Sequence, residues 1–282
     1  MRNRLLRAGA PGLPAPPALF VIDVDGTLLT SAHEVGPAAA TEVRRVRAAG
    51  VEVLLASSRG PRAMLPVVTA LGLTDGAEFV GTQGALTGGY DAAGVLHVRD
   101  RRPAPVDAAR AVVASAAAAG LAVGWYAGER WLVSRVDATI AREARVVADT
   151  PEVADLAAQT SGPDKLMIIA PSPSEVDVLR RLAAALPAEL TAQVSNPTYL
   201  EITGRGVDKA SAVARWCARR GIDPSATGAI GDGPNDLGLF AFAGASVAPA
   251  NARPEVAAAA TWSTRSNDDD GVAHALSVLV PG

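Results

Sequence analysis

A chain of 282 residues, 49% hydrophobic and 20% charged, is long enough to bury a sizeable core, and its net charge of −3 excludes the basic footprint of a nucleic-acid binder. A single cysteine, Cys217, excludes an internal disulfide framework and fits a reducing compartment, so a cytoplasmic protein is expected. No run of ~20 apolar residues occurs, so the sequence predicts no membrane span.

Residues 1–18 (MRNRLLRAGAPGLPAPPA) hold three arginines and a Pro/Gly/Ala run. Their apolar stretch is too short for a signal-peptide core, and they read as a disordered leader. Residues 19–29 (LFVIDVDGTLL) follow, an apolar run ending in two acids. Such a run reads as a strand buried on both faces, with Asp23 and Asp25 at its end. Alternate residues of an extended segment point the same way, so both carboxylates face one small volume. Two carboxylates that close repel unless a cation or shared proton intervenes. A plain turn is one alternative. A calcium loop is another, with Glu34 at its twelfth position, but Leu28 stands where that loop wants glycine.

A helix is predicted over 37–49, ended by Gly50, and a second buried strand over 51–56. Ser57, Ser58 and Arg59 lead into a helix over 61–71. This β-α-β-α order implies a parallel sheet with right-handed crossovers. Hydroxyls between a strand end and a helix N-terminus suit a phosphate, and equally a plain helix cap. A strand over 78–81 and a hairpin over 85–87 and 95–98 come next.

From Arg101-Arg102-Pro103 to about Ser195 the pattern changes. Helices over 105–119, 137–148 and 173–186 alternate with strands over 121–126, 130–134, 165–170 and 190–195, with a polar loop over 150–163. Strands joined by tight turns pair antiparallel, which predicts an inserted α+β domain over 101–195. The first pattern resumes with a strand over 199–202, a helix from Lys209 to Arg220, a strand over 227–231 and helices over 237–243 and up to Leu279. The core is thus expected over 19–100 and 196–282.

A second acidic cluster, Asp232-Gly233-Pro234-Asn235-Asp236, also follows a short apolar strand. Parallel strands bring their carboxyl ends together, so Asp232 and Asp236 can meet Asp23 and Asp25. Mg²⁺ takes about six oxygens and keeps several waters. Asp23, Asp232 and the Asp25 backbone carbonyl would serve it, with Asn235 and Asp236 holding waters. A Gly/Pro/Asn turn with no metal is the alternative.

The ordered segments DVDGTLL, ASSR, GVDKASAV and GDGPNDLGLF resemble the four motifs of the haloacid dehalogenase superfamily. The finer pattern resembles its Cof-type members, which carry a type IIB cap (C2B) between the second and third motifs. The resemblance runs from about Leu19 to the C-terminus, the cap matching in length and pattern only. It implies an α/β Rossmann-like three-layer core with a mainly parallel sheet, an α+β cap, and an Mg²⁺-dependent phosphatase. Asp23 would be the nucleophile that forms an aspartyl-phosphate, and Asp25 the acid/base. Ser57 and Ser58, Lys209 and Asn235 would bind phosphate, and Asp23, Asp25, Asp232 and Asp236 the metal. Gln83 and the run Ala248-Pro249-Ala250-Asn251 depart from the family pattern beside the site.

The cap is expected to close over the site and choose the substrate, through Trp125, Tyr126, Arg130, Trp131 or Arg135. Lys165, one of two lysines, reads as a surface or strand-edge residue, Cys217 as a buried inert thiol, and His33, His97 and His274 receive no role. The expected substrate is a small phosphorylated metabolite, taken by a monomer or homodimer without nucleic-acid or membrane partners. Two rival readings are a phosphotransferase or mutase on the same site, and a non-enzymatic phosphate-binding module.

Overall fold

The structure is a computed structural model that describes residues 4–6, 17–193 and 197–281. In chain order the core supplies β1 (Arg4–Leu5), β2 (Leu19–Asp23), α1 (Pro37–Ala48), β3 (Glu52–Ala56), α2 (Pro61–Leu71), β4 (Glu78–Gly81), β5 (Leu86–Tyr90) and β6 (Leu96–Arg101). The inserted part supplies α3 (Val106–Ala118), β7 (Val123–Ala127), β8 (Arg130–Val133), α4 (Ala138–Val147), β9 (Glu152–Val153), β10 (Lys165–Ile169), α5 (Val176–Ala184), β11 (Leu190–Gln193) and β12 (Tyr199–Gly204). The core then resumes with α6 (Lys209–Arg220), β13 (Thr227–Ile230), α7 (Leu237–Phe242), β14 (Ala245–Ala248), α8 (Pro254–Ala259), β15 (Trp262–Ser263) and α9 (Gly271–Leu279).

Among the described residues the strands form two sheets. The core sheet runs β1-β15-β14-β13-β2-β3-β4-β5-β6, parallel except for the β4-β5-β6 meander at one edge. β2 lies between β13 and β3, so three of the four motif segments leave neighbouring strands on the same side. All five residues of β2 are buried, and its alternate side chains feed two cores. Phe20 and Ile22 pack with α1, α2 and α9, whereas Leu19 and Val21 pack with α6, α7 and α8. Each such side chain contributes about 1.5–3 kcal/mol by leaving water. Helices on both faces of a mainly parallel sheet make the expected three-layer α/β core.

The second sheet, β11-β12-β10-β7-β8-β9, is antiparallel apart from the β8/β9 pair. α3 and α5 cover one face around Trp125, Leu132 and Ile168. α4 covers part of the other with Tyr126, Trp131 and Met167, and Ala63 from the core's α2 joins that cluster.

Three expectations need correction. The leader carries structure: Arg4–Leu5 pairs with the open edge of β15 and Leu6 is buried in the core, because an unpaired edge accepts any extended segment that brings an apolar side chain. Residues 1–3 and 7–16 of that leader lie outside the described residues. The strand at residue 199, expected in the core, is β12 and pairs antiparallel with β10 and β11 in the cap sheet. The loop expected over 150–163 includes β9.

Candidate active site

The parallel register sets the site. Asp23 ends β2 opposite Ala56 of β3, while Ile22 pairs with Ile230 of β13. Past these strand ends the chain turns sharply three times. After Asp23 it makes a single turn over Val24–Leu28, closed by the Leu29 N–H onto the Val24 carbonyl, with Gly26 at φ 76°. After β13 it makes the Pro234–Asp236 turn. Before α6, Asp208 caps the helix by accepting from the Ser211 N–H at 2.7 Å, which sets Lys209 at the first helical position.

These turns gather the acids. Carboxylate oxygens of Asp23, Asp232 and Asp236 lie within 4.8 Å of one another. The Lys209 ammonium, fully buried, donates to Asp23 Oδ1 at 2.5 Å and to Asp236 Oδ1 at 2.8 Å. Asp236 Oδ2 accepts the Gly233 N–H at 3.0 Å, so both its oxygens are engaged. Asp232 Oδ1 accepts the Thr27 hydroxyl at 3.0 Å. Burial pushes the Asp23 carboxyl well up, and the neighbouring Asp236 and Asp232 add to this against the pull of Lys209. Burial, then Asp236, raises Asp232 as well. The Lys209 ammonium stays charged despite burial, since two carboxylates hold it.

An all-oxygen donor set whose charge exceeds that of its one ammonium fits a hard dication. Asp23, Asp232 and Asp236 are the carboxylates close enough to one another to hold it. Asp236 also positions Lys209, and the Asp25 side chain lies outside this acid group. The Asp25 carboxylate meets Arg59 in a two-pronged pair, Nε to Oδ2 at 2.9 Å and Nη2 to Oδ1 at 2.7 Å.

Above this cluster, residues of the core and of the second sheet line a cavity of about 310 Å³. Asp23, Asp25, Ser58, Arg59, Asp232 and Asn235 line its floor. Ser57 does not: it is buried beneath, its hydroxyl accepting the Arg59 N–H at 3.1 Å. Asn235 donates to Gln83 Oε1 at 3.3 Å, and Gln83 donates in turn to the cap's Glu201 at 2.5 Å.

The roof departs from expectation. Of the five cap candidates Tyr126 lines the cavity. Trp125 points into the opposite cap core, because neighbouring residues of a strand face opposite sides. Trp131 is buried behind Tyr126, stacked on its ring at 5.5 Å between centroids. Arg130 is exposed and pairs with Glu152, and Arg135 is exposed and bonds the Gly120 carbonyl. Lys165, expected at the surface, is 2% exposed: it pairs with Glu201, donates to the Ser58 carbonyl at 2.8 Å and lies 4.6 Å from the centre of the Tyr126 ring. Glu143, Tyr199 and Glu201 complete the wall and were not legible as site residues. The surplus of arginine made Lys165 the one available hint. His33, given no role, also lines the cavity.

A family model for haloacid dehalogenase-like hydrolases matches residues 20–276. The "Putative phosphatase" of Haemophilus influenzae is 26% identical over 268 residues, 92% of this chain and 97% of that protein. The "Putative phosphatase YxeH" of Bacillus subtilis is 40% identical over 106 residues, which span 39% of its length. A solved haloacid dehalogenase-like hydrolase from Bacteroides thetaiotaomicron superposes with a TM-score of 0.82 at 26% identity, covering 92% of this chain and 98% of that one. The chain therefore belongs to the haloacid dehalogenase-like hydrolases. Its architecture is that of subclass IIB, of Cof type, and it is an enzyme of the phosphatase kind.

Proposed function

We propose that the chain is an Mg²⁺-dependent phosphatase that hydrolyses a small phosphomonoester through an aspartyl-phosphate on Asp23. The observation that carries this reading is the Asp23 carboxylate, buried at the cavity floor, with one oxygen held by Lys209 and Asp232 beside it. A carboxylate nucleophile splits hydrolysis into two easier displacements. Phosphoryl transfer needs positioning and neutralised charge more than covalent help. Lys209 supplies one fixed positive charge, and a divalent ion held by Asp23 and Asp232 supplies more when bound.

Asp25 lines the same cavity, its carboxylate 41% exposed and oriented by Arg59. From there it protonates the leaving oxygen and then takes the proton of the attacking water. Ser58 and Asn235 are the phosphate contacts at the floor. The roof excludes water and meets the leaving group. A cavity of about 310 Å³ is at the small end of ligand sites, which suits a small monophosphate. A cytoplasmic setting belongs to the same proposal; among the described residues no helix is long and apolar enough to cross a membrane.

The test is phosphate release from p-nitrophenyl phosphate by the purified protein with MgCl₂. Asp23→Asn should abolish release, and a chelator should stop it reversibly. Persistent release by Asp23→Asn rejects the mechanism.

A further inference from the structure

The leaving-group end of the cavity contains a carboxylate that the chemistry above leaves unused. Glu143, on α4, lines the roof and is 7% exposed. Its Oε2 accepts the Tyr199 phenol at 2.5 Å. From the described residues no other hydrogen bond and no ion pair reaches it. The ammonium of the roof acts on it only at a distance, since the hydrogen bonds of Lys165 go to Glu201 and to the Ser58 carbonyl. The guanidinium of the floor is close enough to feel its charge, but the side-chain hydrogen bonds of Arg59 go to Asp25 and not to Glu143. Tyr126, Val146, Val147 and Met167 line the cavity with Glu143, and the Asp149 carboxylate adds a second negative group, so an anion there meets like charge with less screening than in open water.

We propose that Glu143 selects substrates by charge: it accepts hydrogen bonds from a hydroxyl- or amine-bearing leaving group and turns away one that carries a second anion. The inference rests on the reading of the cavity as a phosphomonoesterase site. Its physical basis is an asymmetry. A hydroxyl or ammonium finds a buried acceptor with free lone pairs. A carboxylate or second phosphate finds a like charge there, while Lys165 and Arg59 are already engaged by Glu201 and Asp25, and it has lost water. The alternative is that Glu143 only holds Tyr199 in place.

Three aryl monophosphates of similar size separate these cases: 4-(2-hydroxyethyl)phenyl, 4-(2-aminoethyl)phenyl and 4-(carboxymethyl)phenyl phosphate. With Mg²⁺ present, kcat/KM for the first two should exceed that for the third at least tenfold in the unaltered protein. Glu143→Gln keeps the volume and an acceptor for Tyr199 but removes the charge, and should bring the ratio to about threefold or less. Tyr199→Phe removes the phenol and keeps the charge, and should preserve the ratio whatever it does to the rates. Equal turnover of all three esters by the unaltered protein overturns the selector while leaving the phosphatase reading intact. So does a Glu143→Gln variant that keeps the full ratio. No hydrolysis of any of the three overturns both.

Discussion

Arg59 holds Asp25 by two parallel hydrogen bonds, at 2.9 and 2.7 Å, from a guanidinium that is itself buried beneath the cap. The pair joins the end of β3 to the turn after β2, and so aims a carboxylate that would otherwise swing freely into the cavity. A planar fork fixes both position and rotation of its partner, which a lysine cannot do. Arg59→Lys should therefore lower kcat at least about tenfold, since general acid/base catalysis is worth roughly 10² to 10⁴ and depends on geometry. Steady-state kinetics with p-nitrophenyl phosphate check this. An unchanged kcat would show that Asp25 needs no such orientation.

Gly26 carries the second prediction. Its φ is 76°, and a Cβ there would lie 2.5 Å from Asp232 Oδ2. The Gly26 carbonyl is also held by Asn251 at 2.7 Å, so the turn cannot easily yield. Gly26→Ala should displace Asp232 and raise the Mg²⁺ concentration for half-maximal activity at least tenfold. The left-handed backbone adds a stability cost of roughly 1–2 kcal/mol. An Mg²⁺ titration that superimposes on that of the unaltered protein would contradict the proposed ligand.

Lys209 carries a third. Its ammonium stands between Asp23 and Asp236, all three groups buried. Lys209→Met leaves two carboxylates without their cation, and removing one partner of a buried pair typically costs about 3–5 kcal/mol. Thermal unfolding should show that loss, and millimolar Mg²⁺ should restore part of it, because an ion that binds the folded state alone shifts the equilibrium toward it. A variant as stable as the parent without metal would refute the argument.

The pH dependence of stability tests the roof. Burial raises the Glu143 carboxyl above its usual range, against the hydrogen bond from Tyr199 and the charge of Lys165. The folded protein then keeps this proton at pH values where the unfolded chain has released it. Stability from this group is therefore present at low pH and declines as pH rises through the raised folded value. Glu143→Gln lacks that decline. The difference in melting temperature, variant minus parent, should grow from about pH 4 upward and then level off. A difference that is flat with pH would place the carboxyl in water.

How much of this was legible in the sequence depended on the range of the interaction involved. β2, β3 and β13 were readable because each is a short apolar run closed by turn residues, a local property. That Asp23 and Asp232 converge followed from the rule that parallel strands align their carboxyl ends. The roles within the cluster were less accessible. Asp236, expected to hold a water of the metal, stands in the acid group and also accepts from Lys209 and Gly233, partners 27 and 3 positions away. β12 was placed in the wrong sheet because Tyr199-Leu200-Glu201-Ile202 has the same alternation wherever it pairs.

The cap was the least readable part. Tyr126 and Trp125 are neighbouring large aromatics, and only the pairing of β7 with β8 and β10 decides which of them faces the cavity. Lys165 and Glu201 lie 36 positions apart on paired strands, and a lone lysine in a strand carries no mark of a buried partner.

By itself the sequence determined the three-layer core, the order of its motifs and the identity of the acids, because strand burial and turn chemistry are written in runs of a few residues. The tertiary structure alone decided which faces of the cap look into the cavity, and that Arg59, Lys165 and Glu143 line it. Those outcomes depend on which distant side chains meet across two sheets, and charge pairing at that distance leaves no periodic trace along the chain.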